Sequence, residues 1–74
     1  MLQELGRVAR ETREAAGVRQ IEIASAAGVT EPVISNLERG IRFPEKLEKV
    51  VDGYEDRCRL KRGDLWRAAA AQIR

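Results

Sequence analysis

The segment GVTEPVISNLERG, from Gly28 to Gly40, carries Glu31, Asn36 and Arg39 within a few turns of chain. A carboxylate only accepts hydrogen bonds, an amide donates and accepts, and a guanidinium only donates. The rest of the sequence excludes most catalysis. It has no histidine and one cysteine, so it offers no zinc ligand set and no internal disulfide. No Gly-rich phosphate loop occurs, and no nucleophile–base pair can be assembled. No cofactor and no metal site are expected. Cys58 reads as a small buried hydrophobe in a reducing cytosol.

The elements that position the segment are marked by glycines. Gly17, Gly28 and Gly40 each follow a run with helical periodicity, the usual place for a C-terminal stop. Before Gly17, the residues Leu2, Leu5, Val8, Ala9, Thr12 and Ala16 recur every three or four positions. Ile23, Ala24 and Ala27 do the same before Gly28, and Val33, Ile34 and Leu37 before Gly40. Val18 and Val29 follow their glycines directly and are placed to plug the corners. Only Gly28, Val29 and Thr30 separate the second run from the third, which is helix-turn-helix spacing. Thr30 is a suitable N-cap for the third helix. Pro32 falls in its first turn, where a missing N–H costs no hydrogen bond.

A loop, Gly40 to Pro44, precedes a fourth helix with Leu47, Val50, Val51 and Tyr54 on one face. Gly53 interrupts it and marks either a fray or a close contact. The basic run RCRLKR, Arg57 to Arg62, leads to a last helix from about Gly63 to Ile73. No strand, repeat or low-complexity tract is found. The expected fold class is all-α, a five-helix domain over residues 1–74.

At 74 residues, 43% hydrophobic and 35% charged, the chain is too apolar for disorder and long enough for one small domain. With three aromatic residues, Phe43, Tyr54 and Trp66, its core must be largely aliphatic. No run of about 18 apolar residues occurs, so no membrane span is expected. Glu4 and Arg7 interrupt any signal-peptide pattern. The net charge of +2 is unevenly placed. Six arginines balance six glutamates in residues 1–43, so the excess lies in residues 44–74. Arg19, Arg39 and Arg42 stand at helix ends and in the loop, and read as ordinary surface charges or as anion contacts. The Arg57–Arg62 run reads as solvated surface or as a contact.

Gln20, Ala24, Gly28, Ile34, Glu38 and Gly40 resemble the pattern of the phage-repressor and Cro-like helix-turn-helix family. The similar stretch is VRQIEIASAAGVTEPVISNLERGIRFP, Val18 to Pro44, and a looser likeness covers nearly the whole chain. The resemblance implies a recognition helix at about 31–39 in the major groove of a double-stranded DNA operator. It puts Glu31, Pro32, Val33 and Asn36 against base edges. It puts Arg19, Gln20, Thr30, Ser35, Arg39 and Arg42 against phosphates, with Gln20 at a helix N-terminus that favours anions. It pairs Arg13 with Glu38 between helices 1 and 3. Family members often carry glutamine, serine, arginine or lysine where this chain has Glu31 and Pro32, so the reading edge is unusual. Glutamate can accept from cytosine N4, asparagine can bond adenine, and apolar groups can meet a thymine methyl.

The function implied is a small phage or bacterial transcriptional regulator, Cro- or repressor-like, in the host cytoplasm or nucleoid. A homodimer on DNA is implied too, with Trp66 and Ile73 as candidate contacts, although Trp66 also reads as the edge of the core. Ile21 lies off the core face and is either harmless or part of a protein contact. The alternative is an antitoxin-like or other protein-interaction module on the same fold, which the neutral charge of residues 1–43 favours.

Overall fold

The computed structural model describes residues 2–71. Five α-helices and no strands occur there: α1 (Leu2–Ala15), α2 (Gln20–Ala27), α3 (Glu31–Glu38), α4 (Leu47–Arg57) and α5 (Asp64–Ala70). α2 packs chiefly on α4 and α1 on α5, while α3 rests on α1 and α2. Leu5, Val8, Ala9, Ile23, Ala24, Ile34, Leu37, Val50, Val51, Tyr54, Cys58, Leu65 and Ala69 form the buried core. The expected periodicity therefore selects the core face of each helix. Among the expected positions, Ala16 is exposed, because α1 ends one residue earlier at Ala15, and Val33 is half-buried outside the core cluster. α5 covers Asp64–Ala70, and Ile73 lies outside the described residues. No described helix is long and apolar enough to cross a membrane.

The first four helices end in the same way. The amide of Val18 donates to the Arg13 carbonyl, Val29 to Ala24, Ile41 to Asn36 and Leu60 to Glu55, each bond reaching back five residues. This is the Schellman end, in which a left-handed residue turns the chain and an apolar residue follows. Gly17, Gly28 and Gly40 supply the left-handed residue with φ of 70–72°. At the end of α4 the same position is Arg59, with φ 60°. A side chain there costs roughly 1–2 kcal/mol against the right-handed conformation, a cost glycine does not bear.

Two helix-interior glycines mark close approaches. A Cβ on Gly6 would lie 2.2 Å from the Leu37 carbonyl oxygen, so α1 presses against the C-terminal turn of α3 with no room for a side chain. A Cβ on Gly53 would lie 3.3 Å from the Cβ of Ala27. Gly53 is buried and marks the α2–α4 contact, so it is not a fray.

Candidate nucleic-acid interface

The site is built from the turn between α2 and α3 and from the outer face of α3. Gly28 turns the chain at φ 72° and Val29 plugs the corner against the core. Thr30 then occupies the N-cap position with extended backbone, φ −90° and ψ 160°. Its hydroxyl makes no capping hydrogen bond, which corrects the expected role. Its carbonyl still accepts from the Val33 amide at 3.1 Å. Pro32 sits in the first turn as expected.

α3 has two unlike faces. Ile34, Leu37 and Glu38 are buried. Glu31, Pro32 and Arg39 are exposed, and Val33, Ser35 and Asn36 are half-buried. Arg19, Thr30 and Arg42 are exposed nearby. Among the described residues, the side chains of Glu31, Ser35, Asn36, Arg39, Arg42 and Arg19 make no hydrogen bond or ion pair within the chain. An open groove of about 420 Å³ runs along this face. Val29, Pro32, Val33 and Asn36 form one side, and Arg42, Pro44, Glu45 and Lys46 of the following loop form the other. The proximity of Lys46 and Glu45 was not anticipated, because no local pattern shows how the loop folds back beside α3.

Behind this face lies a buried cluster centred on Glu38. Arg13 of α1 grips the carboxylate with two bonds, Nε to Oε2 at 2.8 Å and Nη2 to Oε1 at 3.0 Å. Its third nitrogen donates to the Val18 carbonyl at 2.9 Å. The Gln20 amide of α2 donates to Oε1 at 3.0 Å, and the Tyr54 hydroxyl of α4 donates to Oε2 at 2.5 Å. One glutamate on α3 is thus held by side chains from the three other helices around it. Burial pushes the Glu38 pKa up, but the bonds from Arg13, Tyr54 and Gln20 together outweigh it and the net direction is down. Burial and the Glu38 contact raise the Tyr54 phenol well above its ordinary range. Burial also raises the Cys58 thiol.

Gln20 was expected at a phosphate. Its side-chain amide instead turns inward to Glu38, and the side chain is half-buried. What remains for an anion there is the second amide hydrogen and the backbone N–H groups that open α2. Tyr54 as a partner of Glu38 was missed, since its spacing marked it only as a core residue. The signal was that a buried tyrosine hydroxyl needs a partner. Trp66 is 36% exposed and is not among the described side chains packed against the core, and Ile21 is exposed.

The geometry is that of a short helix locked from behind and left open in front. The model of the helix-turn-helix domain family matches residues 4–55. The crystal structure of the clp gene regulator ClgR from C. glutamicum is similar, with a TM-score of 0.76 and 25% identity over 97% of this chain and 91% of that one. No curated protein sequence matches. With most of its length matched, the chain belongs to the helix-turn-helix family of DNA-binding regulators, of the repressor- and Cro-like type, a family that is not enzymatic.

Proposed function

We propose that residues 1–74 form the DNA-reading unit of a small transcriptional regulator of phage or bacterial origin, which places α3 in the major groove of an operator. The division of α3 supports this reading. Its inner glutamate is fully occupied, while its outer polar side chains have no partner within the described chain. Glu31, Pro32, Val33 and Asn36 face base edges. Arg19, Thr30, Ser35, Arg39 and Arg42 lie against phosphates, together with the backbone amides that open α2 at Gln20. The protein works in the host cytoplasm or nucleoid as a Cro-like homodimer, with Trp66 in the contact between copies.

Selection of duplexes from a random library at low salt tests the reading. Asn36→Ala is expected to cost about 1–3 kcal/mol on a selected duplex and to relax preference at one base pair. Arg42→Ala is expected to weaken all duplexes alike and to lower the salt slope by about one unit. Equal loss for Asn36→Ala on selected and scrambled duplexes would remove it from readout.

A second reading, an antitoxin-like protein-interaction module, is favoured by the neutral charge of residues 1–43 and by Ile21 and Ile41, which are 47% and 62% exposed. Failure to bind any duplex at low salt would support it.

A further inference from the structure

The groove beside α3 has an uneven lining. Its helix side is apolar at Val29, Pro32 and Val33 and carries one amide, Asn36. Its loop side carries the cations Arg42 and Lys46 and the carboxylate Glu45. None of these four polar residues has a side-chain partner among the described residues. An apolar strip beside an amide, with cations on the opposite wall, matches one feature of duplex DNA. In the major groove, thymine presents a C5-methyl group, adenine presents the N6 and N7 edge that an asparagine bonds, and phosphates border both.

We propose that this groove is a seat for a thymine methyl, with Pro32 and Val33 as its walls, and that Asn36 reads an adenine beside it. The inference rests on the DNA reading above and names the base pairs it favours. Pro32 and Asn36 are four residues apart, or about 6 Å along the helix axis. Base pairs stack about 3.4 Å apart. The thymine therefore lies within about two base steps of the adenine. A cytosine in the same seat lacks the methyl and so leaves Pro32 and Val33 without that apolar contact. Arg42 and Lys46 hold the backbone on the far side and add affinity without choosing a base.

Replacement of each thymine of a selected duplex by deoxyuridine, one at a time, removes single methyl groups and leaves the pairing intact. The wild-type protein is expected to lose affinity about fourfold at one thymine near the Asn36-dependent adenine, the equivalent of about 0.8 kcal/mol for one buried carbon. Val33→Ala and Pro32→Ala, each checked for folding by thermal melting, are expected to bind the thymine and deoxyuridine duplexes alike at that position. If Val33→Ala does not fold, Pro32→Ala decides. Uniform tolerance of deoxyuridine by the wild type would overturn the proposal while leaving DNA binding intact. Full sensitivity retained in both variants would overturn the assignment of the seat. Equal or tighter binding of 5-methylcytosine at that position would overturn the choice of thymine. Absence of binding to any duplex would overturn the DNA reading together with the seat.

Discussion

Glu38 and Glu55 are the carboxylates that the described fold buries, and their partners are of opposite kinds. Glu38 is met by side chains, Arg13, Gln20 and Tyr54, from three separate helices. Glu55 is met by backbone. Its Oε2 accepts from the amides of Gly63 at 2.7 Å and Leu65 at 3.3 Å, at the start of α5. The first arrangement orients α3 through groups that substitution can remove one by one. The second caps a seven-residue helix through backbone amides, which only a proline substitution deletes, so its one adjustable side chain is Glu55. Polar anchoring of α3 thus depends on several side chains, and that of the start of α5 on the side chain of Glu55.

The largest effect is expected where one partner of the buried pair is lost. Arg13→Ala leaves Glu38 charged and enclosed and should destabilise the protein by about 3–5 kcal/mol in urea unfolding. A loss below about 1 kcal/mol would show that the network is dispensable. Glu55→Gln comes next. It weakens two charge-assisted bonds at the start of α5 and should cost about 1–3 kcal/mol. Amide exchange in that variant should rise in α5 and leave α3 unchanged. Equal acceleration in both helices would erase the contrast between the two sites.

Tyr54→Phe removes one bond from Glu38 and should cost about 1 kcal/mol at neutral pH. Its sharper readout is the acid limb. The folded pKa of Glu38 is depressed, so its contribution is present above the unfolded value and is lost as pH falls through the folded one. Without the Tyr54 bond the depression is smaller, so stability should fall less steeply with acidification below about pH 5. An unchanged acid limb would take Tyr54 out of the charge balance. The smallest effect is a gain. Arg59→Gly relieves the left-handed position at the end of α4 and should stabilise by about 1 kcal/mol, without changing the acid limb.

The helix ends show why much of this fold was legible and some was not. Where the left-handed residue is Gly17, Gly28 or Gly40, the stop is visible in the sequence. At Arg59 the same geometry is occupied by a residue with no preference for it, and only Leu60 behind it hints at the turn. Gly6 was silent for another reason. A glycine inside a helical pattern does not announce which distant carbonyl will press on it. The outer face of α3 was legible through the resemblance, but the inward turn of Gln20 and the loop wall of the groove depend on packing between helices. Thr30 stands where a cap belongs, but its hydroxyl bonds none of the α3 amides. Propensity marks such a position without determining the rotamer.

Gly6 also has a meaning for the protein's descendants. Every codon one base away from a glycine codon, synonyms and stops aside, specifies a residue with a Cβ. At this position that atom has nowhere to go, because the Leu37 carbonyl is 2.2 Å from where it would stand. A mutant lineage keeps the fold only by shifting the axis of α1 against α3. That axis carries Arg13, and Arg13 carries Glu38. A position with no functional group of its own therefore constrains how the outer face of α3 can evolve.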